Sequence, residues 1–552
     1  MELLGALFKF IGGLGMFIYG MNLMADGLQK STGGKTQKLL SFLTKNRLMA
    51  VLMGAAITAV IQSSSATTVM VVGFVNAQIM NLTQAVGVIM GANIGTTITS
   101  WIVSMNEWGA ALNPEFFAPL LMGIGAFVLM FAKKESKKEK AYIVVGFGLL
   151  FIGLSFMSGA ISPYKDSPVF ANVFKVFGHN PILALLAGAV VTGIIQSSSA
   201  SVGILQTLAL NGIVNWKSAI FITLGQNIGT CVTALLSSTG TTRTAKRAAT
   251  IHLLFNTIGA IFFGILMFIF FAFFPSFGSS TISSVEISIF HSIFNITCTV
   301  LLFPFANQLV KLSGIIIKDH GEKETPVLEE NKTEHAVEVL DNRLLGNPSF
   351  AIEAATSEVI DMGNLAIKNI QLSLNALLDN DETAIQHVFK NEQMINRFEK
   401  LITDYLVRID SSSITEDQHN IIKNLLYTVS DIERISDHCE NIAELAQNKI
   451  TANTDFSIEG SKDLKIISEC VILAVENAIK ARQEKNTDAV RITNFYEDKV
   501  DEIEKQLREK HIHRLSNGQC NTEGGIIFLD VISNLERISD HAKNIADYVL
   551  TY

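Results

Sequence analysis

The chain has 552 residues, of which 49% are hydrophobic and 17% charged, and its formal net charge is −8. Such an acidic chain is poorly suited to the phosphate backbone of nucleic acids, so we predict no nucleic-acid partner. Its five cysteines form no C-x-x-C pair, which argues against a disulfide framework and a thiolate zinc site.

The part of the chain before residue 318 is predicted to be a membrane domain. About 17 to 25 apolar residues cross the hydrocarbon of a bilayer. Apolar runs of this kind lie near 3–24, 116–132, 141–160, 250–274 and 287–310. Lys and Arg gather at cytoplasmic ends of spans, and the connections 104–117 and 275–286 contain neither. We therefore expect these two connections to lie outside the cell.

Two copies of one polar motif lie within apolar segments. Each copy joins Gln-Ser-Ser-Ser-Ala to Asn-Ile-Gly-Thr; the first begins at Gln62 and the second, 134 residues later without a gap, at Gln196. Hydroxyls and amides are costly in a bilayer unless they are paired or face a cavity. Polar interruptions in duplicated membrane segments are typical of a transporter site.

The charge pattern predicts that the two repeats, 48–105 and 182–239, are inverted in the membrane. The first begins on the cytoplasmic side and the second on the external side. Each repeat must cross an odd number of times but has two apolar stretches. We therefore predict, in each repeat, a re-entrant hairpin with Gln-Ser-Ser-Ser at its tip, followed by one span interrupted at Asn-Ile-Gly-Thr.

The repeats lack the cationic side chains that would hold an anion. Positions 48–132 contain no Lys, Arg or His, and positions 181–215 contain no charged residue. A bound anion must then be stabilised by hydroxyls, amides and helix N-termini, or by a cation that enters with it. Ser, Thr, Gln and Asn can coordinate Na⁺ and also donate to an oxyanion. Cation-coupled anion uptake is predicted, although a single Ser or Thr here is more often a packing residue.

A second motif, His-x-x-Phe-Asn, also occurs twice. It places His252 with Asn256 and His291 with Asn295 on one face of a helix. Polar residues inside spans usually face the bundle interior. Interhelical hydrogen bonding and lining of the transport pathway both remain open for these residues.

The paired Gln-Ser-Ser-Ser and Gly-x-Asn-Ile-Gly-Thr elements resemble the type II sodium/phosphate cotransporter family over residues 1–315. The resemblance implies Na⁺-driven uptake of inorganic phosphate, with both Gln-Ser-Ser-Ser regions forming the substrate and sodium site. The residues so implied are Gln62, Ser63, Ser64, Ser65, Thr67, Asn93, Thr96, Gln196, Ser197, Ser198, Ser199, Ser201, Asn227 and Thr230.

The rest of the chain is predicted to be a polar linker, 319–347, and a soluble helical domain, 348–552. Amphipathic helical patterns continue through this domain, and the segment beginning at Glu433 recurs 103 residues later at Glu536. That offset accommodates three helices per copy. We therefore predict two three-helix bundles packed together.

This half resembles the PhoU family of phosphate-regulatory proteins, whose signature is an acidic residue followed four positions later by Asp. The signature is met by Glu433 with Asp437, Glu497 with Asp501, and Glu536 with Asp540. The fourth site has Asn396 after Glu392, so we expect two unequal carboxylate clusters. Facing pairs of this spacing can hold a divalent metal, and a salt-bridged helix surface is the alternative.

The sequence thus predicts an all-α protein: a polytopic membrane domain with inverted repeats and re-entrant hairpins, and a soluble domain of two three-helix bundles. We expect a Na⁺/phosphate symporter of the bacterial inner membrane with a cytoplasmic regulatory domain, and a signalling protein or a second copy as possible partners. No nucleophile–base pair or Walker motif indicates an enzyme. The alternatives are a Na⁺-coupled carrier of another oxyanion or small carboxylate, and a membrane-anchored phosphate sensor.

Overall fold

The computed structural model is helical and consists of two units, Met1–Glu324 and Thr325–Tyr552, which are described separately. It describes residues 2–32, 46–76, 80–108, 114–165, 176–177, 180–318, 340–346, 348–410, 414–518 and 520–550. Most of the predicted linker lies outside these ranges. Residues 340–346 belong to the second unit, where Leu344 is buried and Tyr405 donates a hydrogen bond to the Asp341 carbonyl at 3.0 Å.

The first unit contains fifteen α-helices among its described residues. They are α1 Glu2–Thr32, α2 Arg47–Ile61, α3 Ser64–Asn76, α4 Leu82–Gly95, α5 Thr97–Ser104, α6 Pro114–Phe131, α7 Glu135–Ile161, α8 Pro181–Ile195, α9 Ser198–Leu210, α10 Trp216–Gly229, α11 Cys231–Ser237, α12 Arg243–Phe273, α13 Pro275–Ser279, α14 Ser284–Leu302 and α15 Ala306–Ile316. Seven described helical stretches are long and apolar enough to cross a membrane, whereas α2, α3, α8 and α9 are shorter. The predicted spans all fall on helices of this set.

Duplicated residues shape the two repeats in the same way. Asn46 and Asn180, 134 positions apart, cap the N-termini of α2 and α8 through their side-chain oxygens. Gly91 and Gly225 allow α4 to approach α2, and α10 to approach α8. A Cβ at Gly91 would lie 2.0 Å from the Val51 carbonyl oxygen, so no larger residue fits there.

The second unit is built from two bundles of three helices. The first contains α16 Pro348–Asp379, α17 Glu382–Asp410 and α18 Glu416–Thr451; the second contains α19 Ile458–Glu484, α20 Thr487–Ser516 and α21 Thr522–Asp547. The three helices of each bundle pack on one another through buried Ile, Leu, Val and Ala side chains. The bundles join where α18 packs on α21 and α16 packs on α19. The predicted pair of bundles is confirmed.

Candidate functional site

Each Gln-Ser-Ser-Ser segment lies where the chain reverses direction between two short helices. In the first repeat, Thr58 of α2 donates to Thr67 of α3, with their hydroxyl oxygens 2.9 Å apart. Nine residues along a straight helix would separate them by about 13.5 Å. In the second repeat, Thr192 and Ser201 make the equivalent contact at 2.7 Å. Both copies are therefore helical hairpins with the polar motif at the tip, here called tip 1 (62–65) and tip 2 (196–199).

The glutamine at each tip adopts a left-handed backbone conformation. Gln62 has φ 56° and Gln196 has φ 54°. An L-residue other than glycine is disfavoured in this region, and such strain is commonly kept where function requires it. The turn ends one helix and lets the next begin with only two residues between them. The amide-bearing residue thus stands at the point of reversal in both copies.

The two tips contact each other. The Ser199 hydroxyl of tip 2 lies 3.4 Å from the Gln62 carbonyl oxygen of tip 1, to which it donates. The Ser63 and Ser197 side chains cap α3 and α9 by accepting from Ala66 and Ala200, at 3.1 and 3.2 Å. The positively polarised N-termini of α3 and α9 therefore lie beside the contact between the tips. The negatively polarised C-termini of α2 and α8 lie beside it as well.

The two tips differ in environment. Gln62 is buried and accepts a hydrogen bond from the Thr99 hydroxyl at 3.0 Å, and its amide nitrogen also donates to the Ala59 carbonyl. Gln196 is exposed, and Ser198 is half-buried whereas its counterpart Ser64 is buried. The amide of tip 1 is thus held by the protein, while that of tip 2 is open.

The Asn-Ile-Gly-Thr elements lie at the ends of α4 and α10. A helix boundary falls at Thr96 as predicted, but Thr96 keeps right-handed helical dihedrals, so the interruption is slight. Asn93 and Asn227 donate to the carbonyls of Ile89 and Thr223 in their own helices, at 2.9 and 3.0 Å. Their buried amides do not hydrogen-bond the tips in the described structure.

The two His-x-x-Phe-Asn motifs are buried in α12 and α14. Asn256 and Asn295 each donate to the carbonyl of the histidine one turn earlier, at 3.0 and 2.9 Å. Both ring nitrogens of His252 and Nδ1 of His291 are buried without a hydrogen-bond partner among the described residues. A pathway role for these residues remains a prediction.

In the second unit, Glu497 and Asp501 of α20 converge with Asp540 of α21, whereas Glu536, the other predicted acid of α21, is not part of this group. Glu497, Asp501 and Asp540 each place one carboxylate oxygen within 4.8 Å of the others; we call them the acidic cluster. Burial raises the pKa of Asp540, and the neighbouring Asp501 raises it further. Burial also raises the pKa of Glu497, although Lys543 opposes this through an ion pair of 2.8 Å.

The corresponding region of the first bundle is different. Glu392 is hydrogen-bonded to Asn396, and Arg434 lies 3.8 Å from both Glu433 and Asp437. Burial raises the pKa of Glu392, and the neighbouring acids add to that effect. In this bundle an arginine thus lies beside the acidic pair of α18, and an amide stands where the signature has a fourth carboxylate.

Sequence reasoning missed several residues of these sites. Lys543 lies three positions after Asp540, a spacing that could have placed it on the same helical face. The histidines of the repeated segment also have a structural role: His438 contacts Asn534 at 2.9 Å, and His541 contacts Asp431 at 2.7 Å, so each joins the two bundles. These two histidines occupy equivalent positions in the segments that begin at Glu433 and Glu536, and this recurrence was the sequence feature that could have identified them.

Two protein-family models match this chain, one in each half. A family model described as Na+/Pi-cotransporter matches residues 16–159 and 167–283, and a model described as PhoU domain matches residues 359–446 and 464–549. The chain belongs to the Na⁺/Pi-cotransporter family. Its C-terminal half carries PhoU domains, and the seven long apolar helical stretches among the described residues make it a membrane protein.

Individual relatives share the same two-part organisation or one part of it. YjbB of Escherichia coli K12, whose given name describes inorganic phosphate export, is 23% identical over 547 residues, which cover 99% of this chain and 97% of YjbB. YqeW of Bacillus subtilis is 30% identical over 301 residues, covering 54% of this chain and 95% of YqeW. The crystal structure of PhoU from Pseudomonas aeruginosa is 26% identical, covers 36% of this chain and 94% of that one, and has a TM-score of 0.34.

Proposed function

We propose that this cotransporter carries inorganic phosphate into the bacterial cell by symport with Na⁺ across the cytoplasmic membrane. The observation that supports the proposal is the contact between two hairpin tips rich in hydroxyls and amides, with no fixed cationic side chain in positions 48–132 or 181–215. Phosphate held there needs countercharge. A co-bound Na⁺ supplies it.

The tip geometry provides both kinds of ligand. Helix N-termini and hydroxyl groups of α3 and α9 offer N–H and O–H donors to phosphate oxygens. The carbonyl ends of α2 and α8, with hydroxyl and amide oxygens, offer hard donors to Na⁺. Each ion neutralises the other in a site without fixed charge, so neither binds well alone.

Direction separates this proposal from a second candidate, phosphate export, which the name of YjbB favours. A symporter moves phosphate down the combined gradients of its ions, so an inward Na⁺ gradient drives uptake. Proteoliposomes with a defined orientation and radiolabelled phosphate test this under imposed Na⁺, K⁺ or proton gradients. Uptake that follows the Na⁺ gradient supports symport; efflux that is indifferent to Na⁺ would favour a dedicated exporter.

We further propose that the PhoU half is cytoplasmic and regulatory, and that the acidic cluster binds a divalent metal such as Mg²⁺, Mn²⁺, Fe²⁺ or Zn²⁺. Three carboxylates with oxygens within 4.8 Å of one another repel without a cation, and the ion pair of Lys543 is formed with Glu497. Metal analysis of the purified chain should find a bound ion that Asp540→Ala removes. Glu509→Ala is the matched control, because Glu509 is an exposed acid of α20 that lies outside the cluster.

A further inference from the structure

A second buried polar cluster lies apart from the hairpin tips, where α5, α9 and α14 meet. It contains Ser100, Gln206, Ser284 and Ser288, whose side chains are all fully buried. The Gln206 amide nitrogen is surrounded by four oxygens: the Ser288 hydroxyl at 2.8 Å, the Ser100 hydroxyl at 3.0 Å, and the Ser100 and Ser284 carbonyls at 3.2 Å each. We call this group the oxygen cage.

The hydrogen bonds of the oxygen cage are incomplete. Gln206 Oε1 and the Ser284 hydroxyl are buried and have no hydrogen-bond partner among the described residues. A buried polar atom without a partner loses its hydration and gains no hydrogen bond in return, and native proteins rarely leave one without a water or an ion. Two orphan polar atoms thus lie beside four clustered oxygens in one buried group.

The ligand chemistry of the cage is that of a cation site. Its members are neutral hydroxyl, carbonyl and amide oxygens, which are hard donors. Two carboxylates stand at the adjacent start of α14, since Glu107 accepts from the Val285 amide at 3.1 Å and Glu286 accepts from the Ser283 amide at 2.8 Å. Acceptors in excess and nearby negative charge favour a cation over an anion.

We propose that the oxygen cage binds a monovalent cation, Na⁺, at a site separate from the tips. Rotation of the Gln206 amide would turn Oε1 toward the ion, and the Ser284 hydroxyl would join it, so that both orphan oxygens become ligands. The inference rests on the proposed Na⁺ coupling and deepens it. Because Ser100 belongs to the first repeat and Gln206 to the second, an ion here would bind differently when the repeats move, which is a requirement for coupling.

The alternative is a hydrogen-bonded lock between helices. Gln206→Glu distinguishes the lock from the cation site. In a lock, the substitution replaces the donating amide nitrogen by a carboxylate oxygen that faces four other oxygens, so the protein is destabilised. In a cation site, the added negative charge tightens Na⁺ binding. Ser284→Ala is complementary, since its hydroxyl has no partner to lose in a lock but is a ligand in a cation site. Ser292→Ala is the control, because Ser292 lies on the same helix as Ser284 but outside the cage. Its hydroxyl accepts a hydrogen bond from the Trp101 indole at 2.9 Å.

The experiment measures thermal stability of the purified full chain against Na⁺, at constant ionic strength and without phosphate, in a Gln196→Gly background that weakens the tips. Ser284→Ala should raise the half-saturating Na⁺ concentration roughly tenfold, as loss of metal-site support commonly does. Gln206→Glu should lower it, and Ser292→Ala should leave it unchanged. Failure of Gln206→Glu to fold even at high Na⁺ would support the lock, and an unshifted Na⁺ midpoint in Ser284→Ala would confirm it.

An unchanged Na⁺ midpoint in Ser284→Ala would overturn the proposal. Phosphate flux by the wild-type chain, measured beside it, distinguishes the two levels of failure. Na⁺-driven flux with an unchanged midpoint rejects the cage and keeps the symporter. Flux that ignores Na⁺, with a midpoint that shifts as expected, rejects the symporter and keeps the cage.

Discussion

The left-handed glutamines allow function and backbone strain to be tested in one set of variants. Gln62 and Gln196 would each be replaced by Gly and by Ala. Both replacements remove the amide, but only glycine adopts φ near 55° without steric cost. The two positions differ in one respect: Gln62 accepts from Thr99 at 3.0 Å, whereas the exposed Gln196 side chain makes no hydrogen bond with the described residues.

The expected magnitudes follow from these contacts. At either position the Gly variant should be more stable than the Ala variant by about 1 kcal/mol, the left-handed penalty of a residue with a Cβ. At Gln62 both variants should also lose about 1 to 3 kcal/mol relative to wild type, because the buried Thr99 hydroxyl loses its acceptor. At Gln196 that loss is absent, so Gln196→Gly should be at least as stable as wild type.

Thermal unfolding in detergent measures the stabilities, and phosphate flux in proteoliposomes measures function. All four variants should lose flux, including the stable Gln196→Gly. Gln84→Ala is the control: it removes a capping hydrogen bond of 2.9 Å to the Asn81 amide and leaves the tips intact. Equal stability of the Gly and Ala variants would refute the strain argument, and normal flux in Gln196→Gly would refute the role of its amide.

Three further outcomes are expected. Gly91→Ala should prevent folding because its Cβ would lie 2.0 Å from a carbonyl oxygen, whereas a Cβ at Gly123 has no atom within 4 Å and Gly123→Ala should fold. Size-exclusion chromatography of the two variants in detergent compares them. A cysteine at Ser136 should be shielded from impermeant thiol reagents in intact cells and one at Ser279 should react; the reverse pattern would reject the topology. Metal-free protein should lose stability as the pH rises through the raised pKa values of Glu497 and Asp540, because these two acids stabilise the fold when protonated, and added divalent metal should abolish that loss; a pH profile unaffected by metal would favour the salt-bridge alternative.

The repeats explain why much of the architecture could be predicted. Asn46 recurs as Asn180 and Gly91 as Gly225, each 134 residues later and without a gap. The same local structure is therefore encoded at two places in the sequence, which makes the repeat easy to recognise. In the C-terminal half, carboxylates four residues apart necessarily share a helical face. The hairpins were predicted from the charge pattern and the odd number of crossings in each repeat, and the bundles from the 103-residue offset between Glu433 and Glu536.

Other features depended on contacts that no local pattern encodes. Gln206 has no glutamine at its repeat counterpart, Val72, and it meets Ser100 and Ser284 only through tertiary packing. The difference between buried Gln62 and exposed Gln196 likewise arises from what surrounds two identical motifs. Identical sequences predict identical local turns, but not their environments.

The central claim is that phosphate and Na⁺ occupy one shared site at the meeting tips. Its most direct test is the phosphate dissociation constant of the purified chain, measured by titration calorimetry over a range of Na⁺ concentrations with K⁺ as the replacement ion. Each ion should tighten the other's binding by the same factor, as linkage requires, and Gln62→Gly should abolish the effect. A phosphate affinity that is independent of Na⁺ would contradict the account.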